Sequence, residues 1–357
     1  MFFDDLAGTI SSFGSARRQS WATRWTEIGD AQCLRADLKI KQMAFDEATE
    51  AWLCGLTAFE VARRLADDGD PKRDDISAKA EANIERFGPP LRQNIERVEI
   101  TCCDEAGFQA YYLPAGSHDS RAPAVICIGD EQESGATLLG RLLPAVAGRG
   151  MSVLVVSHDD VAGRPDVQPG SLLSCCLDYL VTRPDVDAAR IGTYGDGVSA
   201  ALATDFTVSD NRIAAAVCDG GLWNWARMLA SVGWMTKLAN ENDEDGASRL
   251  RSRMVRRLKC PVLVVAGGRS LVSTSEAVKL QAECSAEHVD IDLAVPSIIR
   301  VASEEIDNFI SSDESIFGWL EYKLSQSDCA WGRQTECVSG PVMMSTTRES
   351  LDPSKPS

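Results

Sequence analysis

Histidine is scarce, with only His118, His158 and His288 in 357 residues, so any chemistry that needs an imidazole has three candidates. Long apolar runs are missing as well, and none approaches the about 20 residues that a membrane-spanning helix requires. The first residues, Met1-Phe2-Phe3-Asp4-Asp5-Leu6, show neither the basic region nor the apolar core of a secretory signal. Positive charge is in short supply: 36 Lys and Arg against 53 Asp and Glu give a formal net charge of -17. That balance argues against nucleic acid or an anionic membrane as the main partner, because both need cationic patches. No Cys-x-x-Cys pair occurs, which removes support for a zinc or thioredoxin-like motif. The expectation is a cytoplasmic protein kept soluble by its acidity.

Cysteine itself is plentiful, at twelve. Cys127, Cys218 and Cys260 lie in or beside apolar segments, where small buried thiols suit a reducing compartment. The doublets Cys102-Cys103 and Cys175-Cys176 cannot aim both thiols at one metal from a strand, since neighbours face opposite sides.

Patterning divides the chain into three parts. Residues 1–95 read as helical. Apolar residues from Trp52 to Leu65 recur at spacings of three and four, Asp68-Gly69-Asp70-Pro71 breaks the pattern, and a second helix runs from Ile76 to about Phe87 before Gly88-Pro89-Pro90. Residues 96–325 change character. Val98–Cys102 and Phe108–Pro114 read as hairpin partners. Short β-branched runs then alternate with helical stretches: Ala124–Ile128, Val153–Val156, Ile191–Tyr194, Ala214–Cys218, Val262–Val265 and Val289–Ala294. Continuous apolar strands separated by helices predict an α/β fold with a mostly parallel, doubly wound sheet buried on both faces. Residues 326–357 are polar, rich in Ser, Thr, Gly and Pro, and are expected to be a disordered tail.

The stretch Leu177–Gly195, with its helix, turn (Arg183-Pro184-Asp185) and strand (Arg190-Ile191-Gly192-Thr193-Tyr194), resembles the α/β-hydrolase superfamily in its dienelactone-hydrolase-like and peptidase-like branches. Pro123–Gly129 is similar to the strand that supplies part of the oxyanion hole. Cys260–Gly267 resembles the strand before the catalytic acid, and Gly318-Trp319-Leu320 the closing helix. A helical region ahead of the core resembles the branch of the fermentation/respiration switch protein family. That branch also includes the carbon–carbon-bond hydrolases of nicotine degradation and fungal pigment synthesis. The resemblance implies a hydrolase-type core with a helical N-terminal cap, and a sharp strand-to-helix elbow carrying a nucleophile.

Aligned on Arg190-Ile191-Gly192, that elbow falls on Gly195-Asp196-Gly197-Val198-Ser199. Gly197 stands at the nucleophile position and has no side chain with which to form an acyl-enzyme. The acid position falls on Ser270. The stretch from Pro296 to Asn308, where the family's histidine belongs, has none. These three departures disfavour a Ser–His–Asp hydrolase.

What remains is a set of acid–base candidates: Asp196, His158 at the end of a strand on the ligand-binding side of such sheets, and Asp219. Each has a plainer reading. Asp196 caps the following helix, where an anion is favoured; His158 is a polar loop histidine; Ser199 is a small packing residue. Gly129, Asp130, Val198 and Trp223 are the expected pocket residues. Trp223, in Asp219-Gly220-Gly221-Leu222-Trp223-Asn224-Trp225, offers a floor for a flat ligand. The acids in Gly129-Asp130-Glu131-Gln132-Glu133 would oppose a developing oxyanion and are expected to face solvent. The sequence calls for no cofactor and no metal.

Two functions of different class follow. One is an enzyme recruited to triad-independent chemistry (lyase, cyclase or isomerase) on a small organic molecule. The other is a pseudo-hydrolase that binds a small ligand or a partner. An ester or carbon–carbon-bond hydrolase requires a different registration of the motif. A homodimer is compatible with either.

Overall fold

The computed structural model describes residues 2–66, 70–86, 95–102, 105–116, 121–131, 133–163, 167–220, 257–266, 274–286, 288–296, 298–301, 304–307 and 309–326. Three helices come first: α1 (Phe2–Lys41), α2 (Phe45–Leu65) and α3 (Pro71–Arg86). The second begins seven residues before the apolar stripe at Trp52, and the third begins at Pro71 rather than Ile76. Proline belongs in a first helical turn, where its missing N–H would have no intrahelical partner.

The hairpin is present, as β1 (Glu96–Cys102) and β2 (Glu105–Leu113), antiparallel with Val98 opposite Ala110. The chain then alternates through β3 (Ala122–Ile128), α4 (Gly135–Val146), β4 (Ser152–Val156), α5 (His158–Ala162), α6 (Pro169–Thr182), β5 (Val186–Asp196), α7 (Ser199–Ser209) and β6 (Ile213–Asp219). After residues that are not described come β7 (Val262–Val265), α8 (Thr274–Ala286), β8 (Ile291–Ala294), a hairpin of β9 (Ile298–Val301) and β10 (Glu304–Asp307), and α9 (Phe309–Gln326). The β9–β10 hairpin occupies the stretch from Pro296 to Asn308 in which the sequence offered no histidine.

Eight strands form one sheet in the order β1-β2-β4-β3-β5-β6-β7-β8. Strand β2 is antiparallel to both its neighbours, and β4 through β8 run parallel. The alternation of side chains along each strand divides the interior into two layers. Val125, Cys127, Val153, Val155, Tyr194, Ala215 and Val217 face α2, α3, α4 and α9. Ala124, Ile126, Ile128, Leu154, Val156 and Ile191 face α6 and part of α7. Capping fixes where the helices on the first two loops begin: Ser134 Oγ accepts from Thr137 N at 3.1 Å, and Ser157 Oγ from Asp160 N at 3.2 Å.

The cysteines depart from expectation at one point. Cys127 and Cys218 are buried free thiols and Cys260 a partly buried one, but Cys102 and Cys175 form a disulfide joining the end of β1 to α6. Adjacent thiols do point apart, and Cys176 is buried and free. The partner of Cys175 is 73 residues away, which no local pattern reveals.

Candidate functional site

The strand register builds the site. Ile128 pairs with Val156 on one side and Gly195 on the other. The residues two positions further on, Asp130, His158 and Gly197, therefore meet at the carboxyl edge of the sheet. Asp196 pairs with Asp219 on the next strand.

Gly197 has φ +55°, a conformation that side-chain-bearing residues rarely adopt. Its N–H donates to the Asp219 carbonyl at 2.6 Å, and its own carbonyl accepts from Ala200 N at 3.2 Å to open α7. A Cβ added here would meet the carboxyl group of Asp130, with Oδ2 only 2.6 Å away. The carboxylate thus fills the space in which the elbow's side chain would stand. Its Oδ1 accepts from Val198 N at 3.0 Å and from Glu131 N at 2.9 Å. Asp130 does not face solvent as expected from sequence; two backbone donors turn it inward onto the elbow.

The neighbouring backbone is fixed in turn. Gly129 N donates to Val156 O at 3.1 Å, Gly129 O accepts from Ser199 Oγ at 2.5 Å, and Ser199 Oγ lies 2.8 Å from His158 Nδ1. Both Ser199 and His158 are buried. His158 is therefore no loop histidine. It is the first residue of α5 and ties that helix to the elbow through Ser199. Its Nε2 sits 3.8 Å from the carboxylate of Glu131, which is the exposed acid of this loop.

Asp196 does not cap α7, whose N-terminus carries no side-chain cap. Its carboxylate is 2.7 Å from Arg141 on α4, a guanidinium with 2% of its side chain exposed. Arg141 also donates to Tyr194 Oη at 2.9 Å and lies 3.5 Å from Asp313 on α9. Tyr194 Oη donates in turn to Asp219 Oδ2 at 3.2 Å. Glu133 is turned inward as well, bonded to Arg63 of α2 at 3.1 Å, and Arg63 and Arg64 both hold Glu60. A buried layer of arginines and a larger number of carboxyls thus joins α2, α4, β5, β6 and α9 beneath the elbow.

Charge in such a layer follows burial and neighbours. Burial, reinforced by the Asp196 charge, raises the Asp219 carboxyl to about 8 against the pull of Arg141. Burial likewise raises Glu133 to about 7 and Asp313 to about 6. Burial works against Glu60 too, but Arg63 and Arg64 outweigh it and hold that carboxyl near 2, at about 2. Glu133 Oε2, Asp313 Oδ2 and Arg141 Nε are buried with no hydrogen-bond partner among the described residues. The two carboxyl oxygens are where retained protons would sit.

The structure brings Asp130, Gly129, Gly197 and Val198 together with His158 on one side of the elbow, and places Asp196 and Asp219 on the other. Trp223 and Ser270 lie outside the described residues, as does His118. Sequence reasoning missed Arg141, Arg63, Glu60, Asp313 and Tyr194. One signal was available: Arg141 interrupts Leu138-Leu139-Gly140 and Leu142-Leu143, a charge set within a helix's apolar face. Among the described residues no group of three or more His, Cys, Asp or Glu side chains is arranged to hold a metal ion. Among them too, no helix is long and apolar enough to cross a membrane.

No family model matches the chain, and no curated protein matches it. Solved structures do. A 2,6-dihydroxy-pseudo-oxynicotine hydrolase superposes with a TM-score of 0.57 at 18% identity, covering 85% of this chain and 88% of that one. A protein designated AbyA5 superposes at 0.53 and 17% identity, covering 90% of each chain. The chain is an α/β-hydrolase-fold protein, with a helical N-terminal region ahead of its eight-stranded sheet. Both structures match over most of their own lengths.

Proposed function

We propose that the chain is an enzyme of triad-independent acid–base chemistry, of lyase, cyclase or isomerase type, acting on a small organic molecule at the carboxyl edge of the sheet. One observation carries this reading: the space above Gly197 holds the carboxylate of Asp130, which accepts the Val198 N–H. An acyl-transfer enzyme needs a nucleophile at that point and a free N–H for the oxyanion. A glycine under a carboxylate supplies neither, whereas a fixed carboxylate suits proton transfer. In this reading residues 1–95 act as a cap, residues 96–325 form the reaction domain, and Asp196, His158 and Asp219 are supporting rather than reacting groups.

The test is a fluorophosphonate probe followed by peptide mapping. The expected result is no labelled serine. A labelled serine at the carboxyl edge would overturn the proposal and return the chain to the ester or carbon–carbon-bond hydrolases.

The same occupied N–H favours one other reading, a pseudo-hydrolase that binds a ligand without converting it. Native mass spectrometry separates the two. A small molecule that co-purifies and is recovered unchanged after prolonged incubation supports the binding protein.

A further inference from the structure

We propose that Asp130 is the catalytic base, and that it removes a proton from an activated C–H of an uncharged or cationic substrate. This rests on the triad-independent reading above and names the group that performs the reaction.

The geometry separates the two oxygens of Asp130. Oδ1 is held by the N–H groups of Val198 and Glu131. Both oxygens lie over Gly197, Oδ1 the nearer, and Oδ2 has no hydrogen bond from any described residue. A base needs this division, with one oxygen to fix orientation and the other open to the incoming proton. The support beneath is rigid. Gly129 is bonded to Val156 and to Ser199, Ser199 to His158, and the Asp130 carbonyl accepts from Glu133 N at 3.2 Å. Gly197 is the complementary half of the device, because any side chain there would displace the carboxylate.

The rim sets the substrate's charge. Glu131 beside Asp130 is exposed, and Asp159 and Asp160 lie on the adjacent α5. Arg141 is buried and committed to Asp196. An anion would meet like charges at the entrance, whereas an uncharged or cationic molecule would not.

The step balances without a co-reactant. Oδ2 takes the proton, and the C–H electron pair becomes a new π bond. Either a neighbouring substituent departs with its own pair, giving elimination, or the proton returns at another carbon, giving isomerisation.

5-Nitrobenzisoxazole reports this step without knowledge of the natural substrate. Removal of its C3 proton forms a nitrile, breaks the N–O bond and releases a coloured phenolate. The probe is flat and uncharged, as the rim requires. The expected result is saturable turnover. It should fall about 100-fold in Asp130→Asn, which keeps the hydrogen-bonding shape and loses the base. Formate should restore activity to Asp130→Gly, since a carboxylate-sized space then opens beside the Val198 N–H. A purely structural role would not give the formate response. Turnover in Asp130→Asn within twofold of the parent protein overturns the inference, and so does a parent protein no faster than free acetate. Either failure without fluorophosphonate labelling sinks the base alone; labelling sinks the reading beneath it.

Discussion

The two faces of the sheet are buried by different means. Under α6 the layer is almost wholly apolar, with Ile126, Ile128, Leu154, Val156, Leu173, Leu177 and Leu180 in contact, and a disulfide at its margin. Under α2, α4 and α9 an apolar layer that includes Trp52, Leu56, Leu139 and Leu142 also carries Arg141, Asp313, Glu133 and the Glu60–arginine group, with the partly buried Asp196 and Asp219 at its edge. The apolar face gains by removing hydrocarbon from water at about 25 cal/mol per Å2 and asks little of geometry. The charged face gains nothing unless each group is paired, because desolvating an ion costs several kcal/mol. A protein seldom keeps such a layer for stability alone. Here it lies directly behind the elbow and fixes the strand ends on which the candidate site stands.

If that contrast is right, the largest effect should come from removing the central cation. Arg141→Ala is expected to cost about 3–5 kcal/mol at pH 8, read by urea unfolding, because it strands buried carboxylates. The loss should shrink at pH 5, where Asp219, Glu133 and Asp313 hold protons. An equal loss at both pH values would mean that packing, not charge, organises this face.

The opposite face is tested at its crosslink. Cys102→Ser is expected to cost about 2–4 kcal/mol by freeing the long loop that the disulfide closes. Dithiothreitol should produce the same drop in the parent protein and none in the variant. Indifference of the parent to reductant would leave that face relying on hydrocarbon alone.

The third effect is a slope. Asp219, Glu133 and Asp313 keep protons in the folded protein that the unfolded chain releases near their ordinary values of 3.8 to 4.5. Stability should therefore fall as pH rises from that range through their raised values, and level off above about 8. Glu60 has the opposite sign, so its contribution is lost as pH falls from 4.5 toward about 2. The optimum should lie on the acid side of neutrality. Asp219→Asn, which imitates the protonated carboxyl, should flatten the decline in a pH series of thermal melts. A decline as steep as the parent's would assign the retained proton elsewhere.

Much of the fold could be read from order alone. Apolar runs marked β3 to β7 to within a few residues, and Arg190–Tyr194 located the elbow, because strand period and turn chemistry are local properties. The site was less legible for a physical reason. Asp130 and Gly197 are 67 positions apart, and their contact exists only because Ile128 and Gly195 share a register. Asp196 read as a helix cap because the sequence window ends before Arg141, 55 residues upstream. His158 read as a loop residue because its burial depends on Ser199. In each case the partner lay on another strand or helix.

The mutual exclusion of Asp130 and a side chain at residue 197 also has a historical side. A single change from glycine to serine would arrive under an occupying carboxylate, and loss of that carboxylate alone would leave an empty elbow. Neither step by itself places a serine hydroxyl free at the elbow, and the two must coincide before one can stand there. The pairing works like a ratchet: a glycine and a carboxylate seated in this way are at least two substitutions from a serine at the elbow.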